Sequence, residues 1–462
     1  RNGKLENDQD AAAFFNLDQH DKKYRRLRAE LLDSLFDMVF FLNPSTFPDN
    51  YNLKKGVELF KKECIYKILR NFGAKHSRVD LSVEILELAI SCEIIDSAVA
   101  VCKRIINEYS LIYESTKMNF DEYCALLNEL LELQKAEIMA ASYQKRYSLH
   151  FLQGKQSRLA HGAAAQAAAD EIDQYAYKKM TYIFHLHRFM LKMTAAQLQY
   201  KWQQSLDIYD EALTFLSGHN GQNSMAMATV SISRCFPLIA LQRYNASLNV
   251  LNEAEKAVIV HSQTWYNIQR YKMHTLFHAL RFQDSYDLLL EVTTHSRFNT
   301  LEQNHKEPWF IFKAYLLLFA KARHLNLQEE EMDEMQNWHL HDMIGDITLF
   351  SKDKRGFNIP ILIAQLLNNL LDKAYVLVEG RLEALLKYRS RHLTEHEYFR
   401  TDVFIDLLSV VVKNNYDPSK FSPKVGQLLS KLESIPYSIA DQPEEIEILP
   451  YEKLFQLTIS KL

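Results

Sequence analysis

Residues 392–396, His-Leu-Thr-Glu-His, set two imidazoles and a carboxylate within five positions. This is the H-x-x-E-H order in which two histidines hold zinc and a glutamate activates water. That chemistry needs His392 and His396 one turn apart on a single helix, with a third ligand from elsewhere. The same stretch carries a competing signal. Thr394-Glu-His-Glu397 is a capping box, in which the Thr394 side chain accepts from the backbone of Glu397 while Glu397 reaches back to the backbone of Thr394. Leu393 and Tyr398 occupy the two positions of a hydrophobic staple, so a helix is expected to start at Thr394 with His392 in the incoming turn. Glu395 then falls in a first helical turn, where the helix dipole favours an acid that has no catalytic duty. A zinc hydrolase using His392, Glu395 and His396 is therefore the weakest of three functional readings.

Other residue sets offer less chemistry. His185 and His187, like His339 and His341, are two positions apart, and on a helix such side chains point to nearly opposite sides. Asp342 keeps the second pair as a metal candidate only if residues 338–342 form a loop. The acidic run Glu329, Glu330, Glu331, Asp333 and Glu334 lacks the glycine turn and alternating spacing of a calcium loop, and reads as a solvated helix or loop. No G-x-x-x-x-G-K-[ST], G-x-G-x-x-G or G-x-S-x-G string occurs, so neither phosphate cradling nor a nucleophile elbow has a seat. The five cysteines are odd in number and contain no C-x-x-C pair, which points to buried thiols in a reducing, cytoplasmic compartment. No metal and no cofactor is expected.

The elements that must carry these residues are helical. Eleven glycines and ten prolines in 462 residues leave few places to turn a chain between strands, and 47% hydrophobic residues is ample for a core. Apolar positions recur at helical spacing, as at Leu27, Leu31, Leu35, Met38 and Leu42, and helices are expected near 53–72, 79–92, 95–113 and 120–153. Polar interruptions are expected at 154–162, 217–223, 351–360, 414–423 and 435–450. No apolar run approaches the roughly 18 residues of a membrane span, and no signal peptide is visible. The net charge of −4 with a pI near 6.5 gives no global field for nucleic acid or an acidic membrane. Lys22, Lys23, Arg25, Arg26 and Arg28 form the one basic run, which reads first as a solvated face.

An internal repeat organises the middle of the chain. Trp202-x-x-Ser205-x-x-x-Tyr209-x-x-Ala212 aligns with Tyr244-x-x-Ser247-x-x-x-Leu251-x-x-Ala254, and with Phe282-x-x-Ser285-x-x-x-Leu289-x-x-Val292, at offsets of 42 and 38 residues. Gaps of three, four and three put the four positions on one helical face, and the small residues permit close helix approach. Tyr375, Val378, Leu382 and Leu385 form a looser fourth copy.

This pattern resembles the second helix of a tetratricopeptide repeat (TPR). The first helices match poorly: Ser231, Arg234 and Cys235 stand where that family prefers Trp, Leu and Gly, and Pro237 lies inside an expected helix. The chain as a whole also resembles a group of bacterial proteins described only as TPR-like, through residues 350–367, 388–393 and 440–455. The resemblance implies an all-α chain: an α-solenoid of antiparallel helix pairs with degenerate TPR-like repeats at 163–350, between an N-terminal helical region at 1–153 and a C-terminal one at 351–462. It further implies a concave binding face. Its expected residues are His187, Met190 and Thr194, then Ile232 and Phe236, then Asn267, Arg270, His274 and Phe277.

The leading expectation is a non-catalytic scaffold or adaptor that binds a protein or peptide on that face. The alternative is a signalling regulator that senses a peptide on its repeats and touches nucleic acid through Arg25 and Arg26. Partner identity and oligomeric state leave no mark that the sequence alone reveals.

Overall fold

A computed structural model of the chain describes residues 8–39, 41, 43, 51–111, 118–151, 155–176, 179–218, 224–337, 358–392, 399–417, 423–434 and 447–459. All regular structure among these residues is helical, apart from turns. The chain divides into two compact units, Arg1–Gln134 and Lys135–Leu462.

The first unit holds α1 (Asp8–Phe14), α2 (Lys22–Val39), α3 (Tyr51–Asn71), α4 (Lys75–Ser91), α5 (Ile95–Asn107) and a 3-10 turn at Tyr109–Leu111. The division falls within α6 (Phe120–Phe151). Local chemistry sets the helix starts. Asp21 accepts from the Lys23 amide at 2.7 Å and caps α2, while Asn119 and Glu122 bond each other's backbone amides at 2.9 and 2.7 Å to start α6. The core of this unit joins Leu59 and Tyr66 of α3 to Ile85 of α4, Val99 and Cys102 of α5, and Tyr123 of α6. Beside it the Arg104 guanidinium lies 3.8 Å over the Tyr66 ring, and the Tyr66 hydroxyl donates to Glu108 at 3.2 Å.

The second unit runs through α7 (Lys155–Asp173), α8 (Tyr182–Leu198), α9 (Trp202–Ser217), α10 (Ser224–Ala240), α11 (Tyr244–Lys256), α12 (Gln263–His278) and α13 (Phe282–Thr293). It continues with α14 (Ser296–Asn299), α15 (Gln303–Lys321), α16 (Glu329–Asn337), α17 (Asn358–Leu371), α18 (Tyr375–His392), α19 (Phe399–Lys413), α20 (Pro423–Ser434) and α21 (Tyr451–Thr458). From α7 to α13 each helix packs on the next, and α8 also touches α10 while α10 touches α12. The largest core gathers Trp265, Phe277, Trp309, Phe404 and Phe455 from four helices, α12, α15, α19 and α21.

One turn recurs in both units. Glu93, Tyr200, Gln242, Leu280 and Lys373 all sit in the left-handed region, with φ between 56° and 58°, two residues before α5, α9, α11, α13 and α18. The next amide bonds back to the carbonyl five residues earlier: Lys201 to Ala196 at 2.9 Å, Arg243 to Leu238 at 2.7 Å and Arg281 to Leu276 at 2.9 Å. Ile94 to Ala89 and Ala374 to Asn369 do the same at 2.9 Å. This is the Schellman closure, which satisfies the last carbonyls of one helix and reverses the chain into the next. Five hairpins are thus closed by side-chain-bearing residues where glycine is usual.

The repeat positions read from the sequence lie inside these hairpins. Ser205, Ser247 and Ser285 are buried, as are Tyr209, Leu251 and Leu289 a turn on, and Ala212, Ala254 and Val292 beyond. Val378, Leu382 and Leu385 of α18 are buried likewise. Helix α5 follows the same offsets with Ile95, Ala98, Cys102 and Ile105, all buried, an occurrence that the missing aromatic conceals in the sequence.

One expected interruption is a helix instead. Residues 155–162 form the start of α7, and Gly162 lies inside it. A Cβ at Gly162 would stand 2.8 Å from the Gln199 Cγ, and the Gln199 side-chain amide donates to the Gly162 carbonyl at 3.3 Å. The glycine is there for close approach of α7 to the end of α8, a tertiary requirement that in the sequence looks like a helix breaker. Further along, the polar residues of 351–360 include Asn358 and Pro360, which lie in the first turn of α17. Proline is tolerated there because the first helical amides have no partner inside the helix.

Candidate functional site

The residues expected on a concave face fall on α8, α10 and α12, the first helices of three consecutive hairpins. They divide into two groups. His187, Asn267, Arg270 and His274 are half-buried, with Met190 and Ile232 packed partly against core clusters. Thr194, Phe236 and Phe277 are buried. Phe277 meets Phe312 and Phe319 at ring separations of 5.6 and 5.9 Å, and Phe236 meets Tyr271 edge-on at 5.2 Å, joining α10 to α12.

The half-buried group is polar. Arg270 stands over the Tyr271 ring at 5.3 Å, and one turn on His274 meets the Phe312 ring edge-on at 5.0 Å. Burial, with Arg270 and His278 nearby, lowers the His274 imidazole to about 3, so it is neutral at physiological pH. Burial, with Lys453 nearby, lowers His278 to about 4. On α8, burial and then Lys145 lower His187, whose Nδ1 has no hydrogen-bond partner. These rings are neutral, each with one donor and one acceptor nitrogen.

Where the first helices depart from the TPR pattern, polar contacts take over. Arg234 reaches Asp210 at 2.9 Å while lying 4.5 Å over the Tyr209 ring, and Ser231 bonds the Tyr209 hydroxyl at 3.2 Å. Cys235 is fully buried. Of the remaining thiols Cys102 is buried and pushed up to about 11 by burial and then Cys124, while Cys64, Cys92 and Cys124 are half-buried; none of the five is in a disulfide.

Two polar centres escaped the sequence reading. Glu255 at the end of α11 accepts from Trp265 Nε1 at 2.7 Å, Gln269 Nε2 at 2.6 Å and Lys272 Nζ at 2.5 Å, all on α12. Burial pushes this carboxyl up, and the three donors more than reverse it. Near the C-terminal end, Arg400 bonds Glu447 through two nitrogens at 2.9 and 2.7 Å, Glu452 at 2.5 Å and the Leu432 carbonyl at 2.5 Å. Burial works against the guanidinium charge, and the two carboxylates outweigh it. No local motif announces either centre, because the partners lie on other elements along the chain. Hydrogen-bond capacity is all that local sequence reveals of them.

The metal candidates are placed as follows. His185 is buried between Phe184 and Phe215, at 5.4 and 4.3 Å, a packing role. His392 is the last residue of α18, not part of an incoming turn. Residues 393–398, with Thr394, Glu395 and His396, and residues 338–342, with His339 and His341, lie outside the described residues. Among the described residues no group of three or more His, Cys, Asp or Glu side chains could hold a metal ion, and no helix is long and apolar enough to cross a membrane. The acidic run forms the exposed first turns of α16, where Glu331 accepts from the Gln328 amide at 2.8 Å, an N-terminal cap.

Compared with known proteins, the chain matches no family model, no curated protein and no solved structure. Its own internal recurrence is therefore the ground on which a functional reading must stand.

Proposed function

We propose that the chain is a non-catalytic, TPR-like α-solenoid scaffold that binds an extended peptide or protein segment across the first helices α8, α10 and α12. The observation that carries this reading is the run of three consecutive hairpins with the same left-handed turn and the same buried small–large–small face, whose first helices touch one another in sequence. Stacked helix pairs create extended concave surfaces for binding, and the first helices here, though deeply packed, keep half-buried polar groups along one side. His187, Asn267, Arg270 and His274 supply donors and acceptors that an extended backbone can use, with the buried Tyr271 and Phe312 rings packed against Arg270 and His274 from behind. The basic run is less suited to nucleic acid than its composition suggests. Asp8, Asp10, Asp18 and Asp21 precede it, and Glu30, Asp33 and Asp37 follow it, so residues 8–39 hold seven acids against five Lys and Arg.

The test is affinity capture with the full chain as bait, quantified by mass spectrometry, beside an Arg270→Ala, His274→Ala variant whose melting temperature is checked. The proposal expects a reproducible partner for the wild type that the variant loses at least tenfold. Equal capture by both forms, or no specific partner for either, would remove this face from consideration.

A further inference from the structure

We propose that α2 is a self-association surface, pairing antiparallel with α2 of a second copy of this chain. Helix α2 has 18 residues, and of those whose side chains are described only Tyr24 is buried, its hydroxyl donating to Asp8 at 3.1 Å. Leu27, Leu31, Leu35 and Met38 lie on one stripe at steps of four, four and three residues, and they are 38, 61, 50 and 61% exposed. A stripe of that spacing is the seam of a helix pair, and its exposed apolar surface gains from being sequestered.

The charges identify the occupant. All five cations, Lys22 to Arg28, lie in the first seven positions of α2, and all three acids, Glu30, Asp33 and Asp37, follow them. A two-fold interface must be complementary to itself, and a helix that is basic at one end and acidic at the other meets that condition when two copies run antiparallel. Crossing at Leu31 sets Leu27 against Leu35 of the second copy and brings Lys23 within one turn of its Asp37. A parallel pair would set cations beside cations. An anionic lipid surface or nucleic acid would meet the acids of residues 8–39, which outnumber the cations there. The seam from Leu27 to Met38 is about 17 Å long, enough for a weak, concentration-dependent dimer and too short for a permanent one.

Sedimentation equilibrium of the full chain up to about 300 µM measures the association. The wild type should dimerise, less so as salt rises. Leu31→Asp with Leu35→Asp should weaken the dimer at least about 100-fold while leaving the circular-dichroism spectrum and melting temperature unchanged, since both residues are exposed in the monomer. Lys23→Glu and Asp37→Lys should each weaken it about fivefold, and an equimolar mixture of the two should recover wild-type affinity, because each reversed charge then meets its opposite. A monomer at every concentration, a double-leucine variant that dimerises like wild type, or a mixture that recovers nothing overturns the proposal. So does a monomeric chain that co-sediments with phosphatidylglycerol vesicles or shifts a short DNA duplex, which would assign the stripe to those ligands.

Discussion

Helices α2 and α13 both carry large apolar residues at three- and four-residue spacing, yet they end in opposite surroundings. Leu31 and Met38 of α2 are each 61% exposed, whereas Phe282, Leu289 and Val292 of α13 are 4, 2 and 0% exposed. The difference lies in what precedes each stripe. Leu280 and Arg281 close a left-handed turn that folds α13 back on α12, so the stripe meets a partner within one hairpin. Helix α2 follows Asp21, a cap that starts a helix without aiming it at a neighbour. Periodicity states that a face favours burial; a tight turn decides that it is buried locally.

That contrast can be broken most forcefully at the buried end. Phe277→Ala removes a fully buried ring that touches Phe282, Phe312 and Phe319, and should cost about 3–5 kcal/mol in chemical denaturation. Leu31→Ala in α2, measured at concentrations where the chain is monomeric, should cost no more than about 0.5 kcal/mol. Comparable losses at the two sites would mean that α2 is buried in the monomer.

Arg400→Ala tests whether the second unit depends equally on buried charge. It leaves Glu447 buried without its cation and should cost about 3 kcal/mol or more, whereas a loss below about 1 kcal/mol would show that water replaces the guanidinium.

A pH titration sharpens the contrast further, because the strongly lowered histidines lie beside the α12 core and none lies on α2. The folded-state values of His274 and His278 are lowered to about 3 and about 4, below the usual 6.5, so the unfolded chain takes up protons first. Their contribution is complete above pH 6.5 and lost as the pH falls towards 4, by about 2 kcal/mol for each residue at pH 5. His274→Gln should flatten that slope between pH 6.5 and 4. An unchanged slope would show that His274 is solvated in the folded state.

The smallest effect concerns the turn itself. Leu280→Gly relieves a side chain held at φ 57° and should gain up to about 0.5 kcal/mol, while Leu280→Val should lose about 1 kcal/mol. A gain from valine would mean that the left-handed turn is not what closes the α12–α13 hairpin.

Much of this fold can be read from one chain. The serine positions 205, 247 and 285, with the large and small residues that follow them, mark the buried faces of three second helices, because a close helix pair admits only small side chains at its crossing. The first helices were harder to read, since Ser231 and Arg234 pack by a hydroxyl pair and a cation over the Tyr209 ring, contacts with no fixed spacing along the chain. Gly162 misled for a related reason: its carbonyl and its missing Cβ serve Gln199, 37 residues away. On the expected binding face the family spacing brought Arg270 and His274 to half-buried places and Phe277 to the core. Spacing fixes a side of the helix, whereas the packing of α12 on α15 fixes how deep that side lies.

The sequence by itself determined an all-helical chain with recurrent second helices, because composition and the 3.6-residue period act locally. Tertiary structure alone decided which apolar stripes found partners within the chain, which histidines lost their protons, and where Arg400 met Glu447. Those outcomes depend on groups brought together by chain reversal, and neither burial nor the electrostatic environment of a side chain is set by its neighbours in sequence.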